Sequence, residues 1–436
     1  MNFMAKTNKD SQKEPNLRVQ GQRIKGLSSD DFFLLRQMCA FSNNLYNVAL
    51  YSVRQHYFAT GKYLRYEGNY HKCKGNENYR LLQAGVAQQS LKDVGEAMLG
   101  FFAELKLKKA GQYDEKVRMP HYQQKGGLYT LTLSTNAIAI HDGKLLLPMS
   151  HTFTKLFGSH KIYIPVPKNL LGEDICEVRI KPVCGGRWFK ADFVYKIEQS
   201  PQQAEKDSAL SVDIGTENLA TCIATTGASF IMDGRKAKSI NQRWNKRKAH
   251  LQAIGDKQAH GKRHGIGRKE AALTDRRNRR TKDILNKTAK YIVNYCLANR
   301  IGTIIVGSNK NQKKGICLGK VNNQNFVQLP FSRLRKQLES LCWKYGIRYI
   351  EQEESYTSKA SFADGDSIPV HKASGKQKYA FSGRRIKRGL YRCADGRLVN
   401  ADVNGAANIL RKSGVAFDRE SVLRGLFANP QRIRIA

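Results

Sequence analysis

Residues 209–234, ALSVDIGTENLATCIATTGASFIMDG, form the stretch that decides the fold of the second half of this sequence. An apolar run opens the stretch and ends at Asp213-Ile214-Gly215. Two further runs of apolar and β-branched residues follow, with turn-forming residues between them. The pattern predicts three consecutive strands of an α/β sheet, with Asp213 at the end of the first strand.

Asp213 stands at a position that favours metal chemistry. A carboxylate at the end of a central strand, with Gly215 two residues later, lies beside backbone that no side chain covers. Nucleotidyl-transfer enzymes with an RNase H-like sheet hold a divalent cation at such a position, and oxygen ligands suit Mg²⁺ or Mn²⁺. The D-x-G pattern alone is weak evidence, because sugar kinases and actin-like ATPases also use it.

A second carboxylate follows near the end of the α/β pattern. GTIIVG (302–307) predicts a buried strand, which a helix (about 331–345) and the strand IRYIE (347–351) follow. In ADVNGAANIL (401–410), Asp402 then begins a predicted helix. Asp402 either caps this helix or completes a metal site with Asp213. Two asparagines lie one turn apart on one face of the same helix, namely Asn404 and Asn408.

The first half of the chain predicts helices inserted into a strand-rich module. A capping box at Ser28 and Asp31 begins the first helix, which extends to about Phe58, and a Gly- and Asn-rich connection (68–78) precedes the second. The apolar repeats that predict these helices are Leu34, Met38, Phe41, Leu45 and Val48, then Leu91, Val94, Met98, Phe102 and Leu105.

Beyond about residue 115 the pattern changes to short strands. The predicted strand segments are 128–133, 136–140, 144–147, 162–166, 176–183 and 187–197. Asp142-Gly143 predicts a hairpin turn between two of them. We expect a small antiparallel β-barrel or sandwich whose first strand, about 17–25, precedes the helices. A polar linker (198–208) then separates the two halves.

The charge of the chain favours a polyanionic partner. Its 436 residues include 75 Lys and Arg against 36 Asp and Glu, a formal net charge of +39, so nucleic acid is the first candidate. No segment has the roughly 18 uninterrupted apolar residues that a membrane-spanning helix requires. The N-terminus lacks an apolar signal segment, and the nine cysteines include no C-x-x-C pair. Both features predict a protein of the reducing cytoplasm. The length of the chain predicts two to four domains.

Residues 235–290 are the most basic part of the chain, with 19 Lys or Arg against 4 Asp or Glu. An excess this one-sided, close to a metal-type Asp, favours a surface for the phosphate backbone over a merely solvated helix face. The predicted contact residues are Arg243, Lys246, Arg247, Arg276, Arg277, Arg279 and Arg280, joined by Arg384, Arg385, Lys387 and Arg388 from a later basic run.

The order of VDIGTENLATCI, the basic helical segment, GTIIVG, EESYTSKASF and NADVNGAANI resembles the TnpB (OrfB) proteins of transposons, over about 207–412. That family comprises small RNA-guided DNA endonucleases with a RuvC-like domain, related to type V CRISPR effectors. The resemblance implies that Asp213 is the first RuvC carboxylate and Asp402 the third. It also implies a guide RNA and cleavage of matching double-stranded DNA beside a short motif, in a prokaryotic cytoplasm at the nucleoid.

The same resemblance implies a domain layout, although the first half of the chain matches the family only in the order of its elements. The expected fold is an RNase H-like (RuvC-like) α/β domain with an N-terminal wedge β-barrel and an inserted helical recognition lobe. The expected bounds are a disordered tail (1–16), the wedge barrel (17–27 and 113–200), the recognition lobe (28–112), the nuclease domain (207–358 and 399–412), a target-nucleic-acid insert (359–398) and a basic, flexible tail (413–436).

Two positions depart from the family pattern. The family usually carries a zinc ribbon with two C-x-x-C pairs, whereas the matching positions here are Ser361, Asp364, Cys393 and Gly396. A single Cys of four cannot hold a tetrahedral structural zinc, so we predict no zinc in this insert. In addition, the family's middle strand usually ends in Glu, and this chain has Gly307 instead.

Gly307 leaves two interpretations open. The site is dead, or a carboxylate from the following strand replaces the missing one. Pairing Gly302 with Gly346 sets Gly307 level with Glu351, and Glu353 then shares its face. A glycine at 307 leaves room for a neighbour to cross.

A branch of the family that carries a similar E-E-S-Y-T-S-K run also lacks the middle Glu, which favours Glu353 or Glu354. Either residue, with Asp213 and Asp402, is expected to hold two Mg²⁺ (or Mn²⁺) ions about 4 Å apart for phosphodiester hydrolysis. The alternatives are a nuclease-dead RNA-guided DNA-binding repressor, a CRISPR-guided type V-like effector, and a generic RNA-binding protein.

Overall fold

The computed structural model describes residues 16–200, 205–259, 261, 265–309, 329–370, 379–387 and 389–435. They divide into one unit of residues 16–197 and a second that begins at Glu198. Within the described ranges, no helix combines the length and the apolar character that crossing a bilayer requires. The predicted disordered tail, apart from Asn16, and the predicted contact residue Arg388 lie outside the described residues.

The first unit combines helices with antiparallel strands. Its elements are β1 (Leu17–Arg23), α1 (Ser29–Thr60), α2 (Tyr66–Cys73), α3 (Glu77–Leu81), α4 (Ala84–Lys109), β2 (Leu131–Ser134), β3 (Ala139–His141), β4 (Lys144–Leu146), α5 (His151–Phe157), β5 (Tyr163–Pro165), β6 (Ile175–Val183) and β7 (Trp188–Lys196). The strands pair in the orders β1-β7-β6-β2 and β3-β4-β5, and all of these pairs are antiparallel. Strand β1 pairs with β7, so the helices are inserted after the first strand, as predicted.

Local sequence signals account for the helices of this unit. The predicted capping box is present: the Asp31 backbone N–H donates to the Ser28 hydroxyl, and the Ser28 backbone N–H donates to the Asp31 carboxylate. The connection 68–78, predicted as a loop, instead contains most of α2 and the start of α3. Asn76 explains the second of these, because its side chain accepts from the Asn78 backbone N–H as an N-cap. The assignments of wedge barrel and recognition lobe stay predictions.

The second unit contains the α/β sheet. Its elements are β8 (Glu205–Asp213), β9 (Asn218–Ala224), β10 (Ser229–Asp233), α6 (Arg235–Gln258), α7 (Arg268–Ala298), β11 (Ile301–Ser308), α8 (Phe331–Lys344), β12 (Arg348–Glu353), β13 (Arg384–Lys387), β14 (Leu390–Arg392), β15 (Leu398–Asn400), α9 (Ala401–Lys412), α10 (Arg419–Phe427) and β16 (Gln431–Ile433). The described strands of the main sheet have the order β12-β11-β8-β9-β10-β16. Strands β8, β11 and β12 are mutually parallel, as predicted for the last two, and β9 is antiparallel to both of its neighbours β8 and β10.

Each face of this sheet has its own core, and the two-residue period of the strands assigns Asp213 to one of them. On β8, Leu210 and Val212 pack in the core that contains α7 and α8. Ala209 packs in the opposite core, together with α9. Asp213 follows Ala209 by four residues and therefore faces α9. Ile305 on β11 also lies in the α9 core, which directs position 307 toward the same side.

Two predictions about the ends of this unit are wrong. The linker predicted at 198–208 is shorter, because β8 already begins at Glu205 and pairs with β11 there. The flexible tail predicted at 413–436 forms helix α10 and strand β16, and β16 pairs in parallel with β10. The apolar residues Val422 and Leu426 on α10 are buried in the core beneath α9, which explains why this segment is ordered.

Candidate active site

Helix α9 crosses the end of β8 at very short range. The Ser211 hydroxyl donates to the Ala406 carbonyl oxygen over 2.7 Å. A Cβ atom at Gly405 would lie only 2.8 Å from Asp213 Oδ2. A side chain at 405 would therefore force either the Asp213 carboxylate or the helix to move. The sequence motif around Asp402 thus positions a helix directly against Asp213.

Gly307 makes room for Glu354. A Cβ atom at position 307 would lie 2.6 Å from Glu354 Oε2. A carboxylate from the neighbouring segment therefore occupies the space at Gly307, as expected. The predicted register between β11 and β12 is wrong by one residue. Gly307 pairs with Gln352, not with Glu351. The face that position 307 shares is accordingly that of Gln352, and Glu354 reaches it from just beyond the end of β12.

Glu351 and Glu353 have other surroundings. Glu351 is exposed, and its carboxylate accepts from the Tyr349 hydroxyl over 3.3 Å. Glu353 forms an ion pair with Lys412 and accepts from the Ser355 backbone N–H. Burial opposes the charge of Glu353, but these hydrogen bonds outweigh it and lower the pKa of Glu353. Of the three predicted candidates, Glu354 is the one beside Gly307.

Asp402 is not the N-cap of α9. Asn400 has that role, since its side chain accepts from the backbone N–H groups of Asp402 and Val403. The Asp402 carboxylate is thereby free of capping and faces the cavity. Its Oδ1 accepts from Arg385 over 2.9 Å and its Oδ2 from the Asn218 side-chain amide over 2.5 Å. The predicted alternative of a simple cap is wrong.

The buried asparagines Asn404 and Asn408 hold the segment that follows β12. The Asn404 side chain accepts from the Phe362 backbone N–H and donates to the Ala360 carbonyl oxygen. Asn408 donates to the carbonyl oxygens of Thr357 and Ala360. Since these bonds begin three residues after Glu354, they fasten its loop to α9. Their spacing of one helical turn predicts a shared face, and only the structure shows which loop that face binds.

Burial and nearby charges shift the pKa of two of these carboxylates. Burial, then the negative charges of Glu354 and Asp402, raise the pKa of Asp213 to about 8, although Arg385 opposes the shift. Burial is also the main reason that the pKa of Glu354 is raised, with Arg335 opposing it. Crowded carboxylates of this kind are stabilised by a proton or a cation among them.

A cavity of about 590 Å³ opens beside Asp213 and Asp402. Glu217 and Asn218 also line it, and three arginines contribute to the lining: Arg235, Arg385 and Arg432. Arg235 is paired with Asp233, and Arg432 donates to Asn218. Asn218 and Arg432 were not predicted. Asn218 lies in the segment TENLAT (216–221), which follows Asp213, but its neighbour Arg432 has no local sequence signal.

The donor chemistry of this cavity fits a hard divalent cation, because carboxylate oxygens are the ligands that Mg²⁺ prefers. The side chains are nevertheless spaced more widely than a metal site requires. In the described part of the chain, no three His, Cys, Asp or Glu side chains come close enough together to ligate one metal ion. Asp402 is instead held by Arg385 and Asn218. The raised pKa of Asp213 nevertheless identifies a place where added positive charge is favourable.

The positions that match the family's zinc cysteines are joined by hydrogen bonds. The Asp364 backbone N–H donates to the Ser361 hydroxyl over 3.3 Å, and the Ala394 backbone N–H donates to the Asp364 carboxylate over 2.9 Å. Cys393 is a free, buried thiol. A backbone donor therefore binds the carboxylate that stands where the family has a thiolate ligand.

The basic helices present most of the predicted contact residues to solvent. Exposed members are Arg243, Lys246, Arg247, Arg276, Arg279 and Arg280, and on β13 Arg384 and Lys387. Arg277 differs. Its guanidinium stacks 5.1 Å over the Trp244 ring and donates to Asn241, and burial lowers its pKa. Between α6 and α7 the arginines surround a cavity of about 740 Å³ with Trp244 in its wall.

Asp213→Asn should stabilise the metal-free protein at alkaline pH. The pKa of Asp213 is raised from its ordinary 3.8 to about 8, so its contribution to stability is complete below about pH 4 and is lost as the pH rises through 8. In EDTA we expect the variant to melt about 3–6 °C above wild type at pH 8.5, and to lose that advantage at pH 4. Thermal unfolding measured across this range checks the sign.

Asp233→Asn is the matched control for that experiment. Hydrogen bonds from Arg235 lower the pKa of Asp233, so its contribution is present above pH 4. This variant should melt below wild type at neutral pH. A stabilising effect of both substitutions would contradict the electrostatic origin of the first.

Comparisons with known proteins identify similar sequences and a similar fold. A family profile described as a probable transposase (OrfB_IS605) matches residues 192–313, and one described as Cas12f1-like, TNB domain matches residues 331–409. The TnpB-like protein ORF457 of Acidianus two-tailed virus is 24% identical over 414 residues, 87% of this chain and 83% of that protein.

A solved structure shares the fold. The cryo-EM structure of a Cas12f1–sgRNA–target DNA complex contains a chain that is 14% identical, with a TM-score of 0.57, over 88% of this chain and 83% of that one. The likeness is one of mixed α/β architecture.

Proposed function

We propose that this chain, a member of the TnpB (OrfB) family of RNA-guided nucleases, is itself an RNA-guided DNA endonuclease with Asp213, Glu354 and Asp402 as its active-site carboxylates. One observation carries the proposal: Glu354 fills the space that Gly307 leaves open, beside Asp213. The site therefore has three carboxylates although its middle strand lacks the usual Glu. Binding of DNA without cleavage would not require Glu354 to lie beside Asp213.

Binding of Mg²⁺ or Mn²⁺ would require the three carboxylates to converge more closely than they do in this structure, and the bound ion would supply positive charge against the phosphodiester and a more acidic water. Other residues of the chain orient the Asp402 carboxylate and contact the substrate. Asn218 and Asn400 fix the direction of the Asp402 side chain and the start of its helix. Arg385 stands beside the same carboxylate, where its guanidinium can contact a phosphate oxygen of the target strand.

A bound cation would also change the protonation state of Asp213. Without a bound cation, burial and then the neighbouring carboxylates favour a protonated Asp213, whose pKa is raised to about 8. Metal binding requires the deprotonated carboxylate, so it releases this proton and becomes tighter as the pH rises. We therefore expect cleavage at a low Mg²⁺ concentration to increase from pH 6.5 to 8.5 and to depend less on pH at saturating Mg²⁺.

The basic helices α6 and α7 form the surface for the guide RNA and its hybrid with target DNA. Their exposed arginines carry no sequence information but bind phosphates through charge. The hairpin that contains Arg384, Arg385 and Lys387 contacts the target strand near the carboxylates. In this proposal the first unit is the wedge and recognition region, and the target-adjacent motif is bound there.

Replacing Arg243, Arg247 and Arg280 together by Ala should weaken guide-RNA binding about 10–100-fold at 0.15 M salt. Three lost phosphate contacts should also make the slope of log K against log salt shallower by about 2–3. Filter binding over a range of salt concentrations measures both. The triple Lys variant keeps the charge and should retain most of the affinity. An unchanged slope in the Ala variant would exclude these residues from the interface.

The test of the function is a cleavage assay. The protein is co-expressed with its flanking genomic sequence so that a native guide RNA co-purifies, and the complex is incubated with Mg²⁺ and matched DNA beside randomised flanks. We expect double-strand cleavage of matched DNA, none with mismatched DNA, and none in EDTA. Tight binding of matched DNA without cleavage at any Mg²⁺ concentration would instead identify a nuclease-dead binder.

A further inference from the structure

The described end of the chain is built into the nuclease sheet beside the active site. Helix α10 docks on the β9–β10 turn so closely that a Cβ atom at Gly425 would lie 1.6 Å from the Gly227 carbonyl oxygen. Strand β16 then pairs in parallel with β10, with Arg432 level with Ile231. Ile433 and Ile435 pack against the core on the α7 side. Since side chains alternate, Arg432 points to the opposite face, where the active-site cavity lies.

Arg432 reaches the cavity through one asparagine. Its Nη1 donates to Asn218 Oδ1 over 2.9 Å, and Asn218 Nδ2 donates to Asp402 Oδ2 over 2.5 Å. Arg432 also lies 3.8 Å from the buried carboxylate of Asp233, which Arg235 neutralises. The arginine is therefore held at one end by the sheet and at the other by two acceptors.

The chemistry of these three groups fixes the orientation of the amide. A guanidinium has only donors, so it binds the oxygen of Asn218, and a carboxylate has only acceptors, so it binds the NH₂ group. If Asn218 rotated by half a turn, its oxygen would face the Asp402 carboxylate and its NH₂ group would face Arg432. Both contacts would then be repulsive, so Arg432 determines which way the amide points.

We propose that Arg432 is a positioning residue of the nuclease site, which acts through Asn218 to hold the Asp402 carboxylate in its ligand orientation. The inference rests on the proposed function, because it gives Asp402 the role of a metal ligand. Partners of ligating carboxylates affect metal affinity strongly, and their loss typically weakens it by about 10–100-fold. The segment beyond α9 is therefore a part of the catalytic domain and not an appendage for RNA.

The test compares Arg432→Ala, Arg432→Lys and Asn218→Ala in the complete RNA–protein complex. Arg434→Ala is the matched control, since Arg434 is an exposed arginine two residues later on the same side of the chain. Mn²⁺ affinity is measured by EPR titration without DNA, and the Mg²⁺ concentration for half-maximal cleavage is measured with DNA. Thermal unfolding and guide-RNA binding monitor the fold.

We expect Arg432→Ala and Asn218→Ala to weaken Mn²⁺ binding about tenfold or more and to raise the half-saturating Mg²⁺ concentration by a similar factor. Excess Mg²⁺ should restore most of the maximal rate, and Arg432→Lys, which keeps a donor, should recover part of the affinity. Arg434→Ala should behave as wild type. If Arg432→Ala disrupts strand β16, Asn218→Ala still tests whether this hydrogen-bond chain affects metal binding, because it leaves β16 intact.

Wild-type metal affinity in both Arg432→Ala and Asn218→Ala would overturn the inference, even where cleavage by the wild type supports the proposed function. A wild-type protein that binds Mn²⁺ but does not cleave matched DNA would refute the nuclease. The Mn²⁺ titration would then still decide whether Arg432 positions Asp402, because it does not depend on cleavage.

Discussion

Glu354→Gln should lower the rate of target cleavage by on the order of 10³-fold or more, because it removes the charge of a carboxylate that we propose as a metal ligand, worth several kcal/mol at the transition state. Asp213→Ala should have the same effect for the same reason. Neither residue lies on the basic helices, so guide-RNA binding should be unchanged. Single-turnover cleavage by the purified RNA–protein complex at saturating Mg²⁺ measures the loss.

Glu353→Gln is the matched control for Glu354→Gln. The two residues are adjacent and chemically identical, but Glu353 is paired with Lys412 whereas Glu354 lies beside Gly307. We expect Glu353→Gln to lose stability and to cleave within about tenfold of wild type. The opposite ranking of the two variants, with Glu353 the essential residue, would show that the relocated carboxylate has been assigned to the wrong position.

Exchanging the residues at 307 and 354 provides the second large effect. Gly307→Glu alone should lower cleavage by at least about 100-fold, since its Cβ atom would lie within 2.6 Å of Glu354 Oε2 and 2.7 Å of Ile409 Cδ1. Glu354→Gly alone should be inactive. In the double variant, the obstruction at Glu354 is gone and a carboxylate extends from the middle strand, where the family usually has it. We expect the double variant to be at least about tenfold more active than either single variant.

Recovery of this kind requires strong coupling between the two positions, which a double-mutant cycle measures directly. The control is Gly307→Gln combined with Glu354→Gly, which has the same shape without the charge and should not cleave. Mn²⁺ titration of each variant separates loss of the metal from misplacement of the substrate. If the double variant is no better than the worse single variant, then position 307 cannot replace Glu354 and the site is not the one proposed.

Much of the fold of both halves follows from local sequence. The apolar run before Asp213 and the GTIIVG run are continuous, so they predict buried strands without reference to the rest of the chain. Ser28 with Asp31 and the apolar repeats of α1 and α4 predict their helices through capping and the 3.6-residue period, and the structure confirms them. In the structure, side-chain alternation places Asp213 and position 307 on one face, because Ala209 and Ile305 pack in the same core.

The third carboxylate could not be selected in this way. Alternation along a strand depends only on the backbone, but the register between two strands depends on how both pack against the helices that cover them. A register wrong by one residue moved the expected partner of Gly307 from Gln352 to Glu351. Glu354 lies beyond the last paired residue, where its loop is held by Asn404 and Asn408 of a helix about 50 residues away in sequence.

The sequence by itself thus determined the α/β sheet, the positions of Asp213 at a strand end and Asp402 at a helix start, and the basic character of α6 and α7. These features are local, because they depend on period, capping and charge within a few residues. Tertiary structure alone decided that Glu354 fills the place beside Gly307, that Asn400 rather than Asp402 caps α9, and that Arg432 reaches Asn218. Each of these depends on chain segments that approach one another only after both cores have formed, and a three-residue strand such as β16 is too short to show a pattern of its own.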